Sequence, residues 1–84
     1  MDPQAPDDFE SVSKRLAAAY LELAEVKIQY LYVFHQGYMH STESSVSGRE
    51  RSGEIAAAAI REDEIRLEAN IASLTVMRDF HRGG

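Results

Sequence analysis

Between Phe9 and Val33 the apolar residues step along the chain by alternating threes and fours: Phe9, Val12, Leu16, Ala19, Leu23, Val26, Tyr30 and Val33. A helix lays such a series along one side, so the spacing predicts a long helix with a heptad-like seam. The same segment carries a second apolar series, Ala17, Leu21, Ala24, Ile28 and Leu31, well away from the first around the helix. One neighbouring helix cannot cover both. Two antiparallel helices alone would leave one series in water, so the doubled pattern constrains the fold more than any other feature of the chain.

Downstream, Ile60, Leu67, Ile71, Leu74 and then Val76 or Met77 form a helical stripe, with Ala56 and Ala57 on the same face. A weaker row runs through Ala58, Ile65, Ala69, Ala72, Val76 and Phe80. Between the two periodic segments lies "GYMHSTESSVSGRERSG", a Ser- and Gly-rich connection that breaks the period. Asp7 with Glu10 forms a capping-box-like pair for the first helix, and Ser47 with Glu50 forms one for the second; Ser41 or Ser45 would cap a longer version. Gly37 reads as the glycine that ends the first helix, with Tyr38 and Met39 folding back over its end. Glu10 with Lys14 and Glu62 with Arg66 stand at the favourable i,i+4 spacing.

These signals predict an all-α chain: a flexible tail over residues 1–6, a first helix over about 7–37, a connection over about 38–46 and a second helix over about 47–82. Two helices of this length, roughly 45 Å each, fold back as an antiparallel hairpin. The apolar rows left over on both helices then predict a four-helix bundle completed by dimerisation.

Eighty-four residues bury only a modest share of their surface, and with no cysteine the chain has neither a disulfide nor a thiolate metal site to reinforce it. A net charge of −5 disfavours general binding to polyanions, which needs a surplus of Lys and Arg on one face. No run of about 18 apolar residues is present, and the start "MDPQAPDDFE" is acidic where a signal peptide would be basic. The expectation is a cytoplasmic protein without membrane contact, whose partners are another copy of itself and a second protein.

The stretch "YLYVFHQGYMHS", Tyr30 to Ser41, gathers four aromatic residues and two histidines. As a base-stacking platform it would need interleaved Arg or Lys, and it has none. Tyr30 and Val33 continue the seam, Leu31 and Phe34 run toward the second row, and Tyr32 falls on the polar stripe with Glu22, Glu25 and Gln29. Packing at the closed end of a hairpin accounts for most of it. His35 and His40 are five residues apart, a poor spacing for a metal on one helix face. Arg49 and Arg51, beside several serines near a helix start, are a candidate anion contact. Glu64 and Glu68 in "REDEIRLE" read as a solvated charged face rather than an acid and base pair. No phosphate loop, nucleophile elbow or catalytic triad pattern is present, and "RGG" at the end matches the ubiquitin tail over two or three residues only.

Two resemblances of pattern follow from these residues. The turn "FHQG" in a small acidic helical hairpin resembles the family of secreted helical-hairpin dimers built around a Trp-x-Gly turn; here the Trp is replaced, the loop is longer and the C-terminal Tyr-x-x-x-acid signal is absent. The Ala-, Leu- and Tyr-rich first helix, the connection "SVSGRER" and the second helix from "SGEIAAAAI" to "LTVMRDFHR" resemble small helical proteins encoded by phages of actinobacteria, over Leu16 to Arg82. That resemblance implies a phage accessory product in the host cytoplasm and assigns no active residue.

The reading that joins these strands is a non-enzymatic oligomeric interaction module, with no catalytic, cofactor or metal site. Its expected oligomer or partner surface comprises Leu21, Ile28, Leu31, Tyr32, Phe34, Tyr38, Ile65, Val76 and Phe80. The alternative is a nucleic-acid-associated accessory factor of recombination or replication, in which Arg49 and Arg51, with Arg78 and Arg82, form a local basic surface on an oligomer.

Overall fold

The computed structural model describes residues 8–83, with side chains through His81; the expected tail over residues 1–6 lies outside the described residues. Three helices follow in order: α1 (Phe9–Met39), α2 (Val46–Ala56) and α3 (Ala58–Gly83). Asp8 caps α1, its side chain accepting from the Ser11 amide at 2.7 Å. The expected cap, Asp7, falls outside the described residues. Ser45 caps α2 by accepting from the Gly48 amide at 3.0 Å, so the longer of the two expected versions of the second helix forms.

Two boundaries differ from the sequence expectation. Gly37 does not end α1, because the helix continues through Met39 and no described glycine has a positive φ. Tyr38 and Met39 therefore extend the helix instead of folding back over it. The second helix is divided at Ala57, where φ −100° and ψ 11° depart from helical values. The chain stays bonded across the break, with the Ala57 amide donating to Gly53 O and the Arg61 amide to Ala57 O.

The small residues explain both differences. A Cβ on Gly37 would meet the Ala56 Cβ at 2.8 Å and Ser52 O at 2.9 Å, and one on Gly53 would meet Phe34 O at 2.7 Å and the Phe34 ring at 2.9 Å. Glycine at both places lets α1 and α2 approach almost backbone to backbone. Further along, Leu and Ile fill the seam between α1 and α3 and hold helices at the usual 8–10 Å or so. The change from glycine contacts to Leu and Ile contacts coincides with the break at Ala57, which is fully buried.

The apolar core lies toward the open end of the hairpin: Val12, Leu16 and Ala19 of α1 pack with Ile71 and Leu74 of α3, and Leu23 and Met77 flank them. From Val12 to Leu23 the seam predicted for α1 is thus the face that α3 covers, while Phe9 at its start is 43% exposed. At the closed end Tyr30 stacks on Phe34 with ring centroids 6.0 Å apart, and Ser41 Oγ lies 2.9 Å from Ser52 Oγ. The molecule measures 63 × 22 × 14 Å, with a radius of gyration of 18.3 Å. A compact chain of this length would have a radius near 12 Å. The hairpin is a single layer of helices.

Candidate docking surface

The second apolar series of α1 lies about 140° around the helix from the seam, and no described residue covers it. Leu21, Ile28 and Leu31 are 70%, 67% and 66% exposed, and Tyr20 and Tyr32 beside them are more than half exposed. On α3 the row through Ile65, Val76 and Phe80 lies about 160° from its own seam and is likewise exposed. The two rows look outward from opposite edges of the hairpin. Leu31 also borders the groove formed by Lys27, Tyr30, Arg61 and Glu64.

Two residues expected on this surface are engaged within the chain. Phe34 packs its ring over Gly53 and against Tyr30, and Tyr38 lies beneath the Arg49 guanidinium, 5.9 Å from its ring centroid. Arg49 also donates through Nε to Glu43 O at 3.1 Å. Its pairing with Arg51 as an anion contact meets a geometric obstacle: residues two apart on a helix stand about 200° apart, so the two side chains do not converge. The Arg82 side chain lies outside the described residues, and Arg78 pairs with Asp79 at 3.4 Å.

The charged run on α3 contains the largest departure from expectation. Glu64, read as a solvated residue, is 5% exposed. Lys27 Nζ reaches its carboxylate at 3.1 Å and Arg61 Nη1 at 3.2 Å, while Glu68 lies 3.8 Å from Lys27 on the open side. The Lys27 hydrogen bond lowers the Glu64 pKa below its ordinary 4.5; burial opposes this, and the positive charges of Lys27 and Arg61 add to the lowering. Arg61 also lies over the Tyr30 ring at 5.9 Å. This cluster ties α1 to α3 midway along the hairpin. The stripe was visible in sequence, since Ile60, Glu64, Leu67, Ile71 and Leu74 repeat the three-four step with Glu64 on it.

The smaller pairings divide. Glu10 and Lys14 meet at 3.6 Å as their spacing predicts, whereas Arg66 bonds Asp63 at 2.9 Å in place of Glu62. His40 turns its ring to Gln36 Oε1 at 3.1 Å, and its amide caps α1 on Gln36 O. Among the described residues no group of three His, Asp or Glu side chains is placed to hold a metal ion, and no helix is long and apolar enough to cross a membrane. A wide, open depression lies over the start of α2, lined by Glu43, Ser45, Ser47, Glu50, Arg51 and Glu54, in which carboxylates outnumber the one cation. No protein-family model matches the chain, and no curated protein or solved structure matches it.

Proposed function

We propose that this chain is a non-enzymatic helical docking module, a hairpin that self-associates toward a four-helix bundle and docks on a second protein. The observation that carries the reading is the exposed row of Leu21, Ile28 and Leu31 on a helix whose opposite face is already packed. A helix that is apolar on two sides gains stability in water when both sides are covered. The pattern shared with small helical proteins of actinobacterial phages supports an accessory role in the host cytoplasm, with a host or phage protein as the second partner.

The test is sedimentation of the full chain at micromolar concentration beside Ile28→Glu, with helix content followed by circular dichroism. The reading predicts an assembly of at least twice 9.4 kDa that Ile28→Glu reduces to a helical monomer. A wild-type chain that sediments as a folded monomer would remove its support. DNA binding at about 50 mM salt that is lost in Arg49→Ala with Arg51→Ala would turn the assignment to a nucleic-acid accessory factor.

A further inference from the structure

We infer that the outer row of α1 is covered by the α1 of a second copy, running antiparallel, with the two-fold axis passing beside Ala24. The inference rests on the docking reading above and specifies its first partner. Four observations converge on this occupant and this orientation.

The first is area. Tyr20, Leu21, Ile28, Leu31 and Tyr32 are each more than half exposed. Together they offer on the order of 700 Å². A standard interface takes about 800 Å² from each partner, so the exposed area of the row and its flanking tyrosines is of the size that one further copy covers. The second is spacing. Ala17, Leu21, Ala24, Ile28 and Leu31 keep an unbroken four-three-four-three step with no charged residue among them, which is the seam of a two-stranded coil. The row on α3 skips a step between Ala58 and Ile65 and lies beside Glu62, Glu68 and Asp79.

The third is position. Ala24 lies fifteen residues from Phe9 and fifteen from Met39, at the midpoint of α1. An antiparallel pair centred there overlaps along the whole helix, setting Ala17 against Leu31, Leu21 against Ile28 and Ala24 against itself. Small residues then face large ones at both ends of the row, and Leu21 and Ile28 fill the layers on either side of Ala24. A parallel pair would stack Ala17 on Ala17 at one end and Leu31 on Leu31 at the other, demanding unequal helix separations that the antiparallel pair evens out.

The fourth is charge. Asp8 and Glu10 stand at the start of α1, after Asp2 and Asp7 in the sequence. A parallel pair would crowd two such acidic ends together. The antiparallel pair sets them at opposite ends of the assembly and opposes the helix dipoles. Its electrostatic cost is Glu25 facing Glu25 near the axis, at an exposed edge where such a repulsion is weak.

The chain has no cysteine, so single cysteines placed on the row report the geometry. Under mild oxidation Ala24→Cys is expected to form a disulfide-linked dimer. Ala17→Cys and Leu31→Cys are each expected to stay unlinked alone and to link when mixed. In the antiparallel pair two copies of residue 17 stand roughly 21 Å apart along the axis, far beyond the ~7 Å span of a disulfide. Self-linking of Ala17→Cys as efficient as that of Ala24→Cys would overturn the antiparallel arrangement while leaving the docking reading intact. A chain that sediments as a dimer yet links at none of the three positions would overturn the α1 interface. A chain that sediments only as a monomer would overturn both.

Discussion

Glu64 and Lys27 meet in the middle of the hairpin, at positions where the surrounding stripes would have placed an apolar contact. The carboxylate is held by two cations and shielded from solvent, so its lowered pKa ties part of the hairpin's stability to pH. A group whose folded pKa lies below its unfolded value stabilises the fold fully above the unfolded value, near 4.5, and loses that contribution as pH falls through the folded value. Lys27, Arg61 and Glu68 are the charged groups that face it. Glu64→Gln is predicted to lower the melting temperature at pH 7 and to narrow its difference from wild type as the pH drops to about 3.5; an equal deficit at both values would contradict the assignment. Leu74 and Leu31 supply a contrast in packing. Leu74 is 2% exposed, so Leu74→Ala is predicted to cost about 2–5 kcal/mol in thermal or urea unfolding. Leu31→Ala at micromolar concentration is predicted to weaken assembly, while its effect on the separated hairpin stays within about 0.5 kcal/mol.

At the scale of the helices, the joint between α1 and α2 depends on two glycines that a propensity argument would replace. Alanine gains up to about 1 kcal/mol over glycine in a helix interior. At Gly53 the added carbon would stand 2.7 Å from a backbone oxygen, which a side-chain rotation cannot relieve. Overpacking of this kind costs about 1–3 kcal/mol, so Gly53→Ala is predicted to lower stability in a denaturant titration, and Gly37→Ala to do the same. A rise in stability for either would show that the helices are farther apart than described. This joint marks where the sequence was hard to read. Heptad spacing declared α1, its seam and its uncovered row, because each depends only on which residues repeat along one helix. The role of Gly37 was hidden, since a glycine past an apolar run is usually a terminator and only the partner helix shows it to be a contact. The break at Ala57 was equally hidden, because "AAAA" is uniformly favourable to helix and what differs on either side of it is the contact with α1, glycine at Gly53 and bulky residues at Ile71 and Leu74. Glu64 stood on the α3 stripe in plain view; its charge made it read as surface because Lys27 lies thirty-seven residues away in sequence.

For the whole molecule, the deciding quantity is thickness. At 14 Å across its thin axis, the hairpin is one layer of helices, whereas domains bury their apolar faces between at least two. The core at the open end and the ion cluster in the middle fix how α1 lies against α3, but neither covers Leu21, Ile28 or Leu31. A second copy paired along this row would cover it and tie folding to association. Unfolding that includes dissociation becomes harder as protein concentration rises. The most direct test of the account is therefore the melting temperature of the unmodified chain over a hundredfold range of concentration. The account predicts a melting temperature that climbs steadily with concentration, and a melting temperature independent of concentration in a chain that melts as a 9.4 kDa monomer would contradict it.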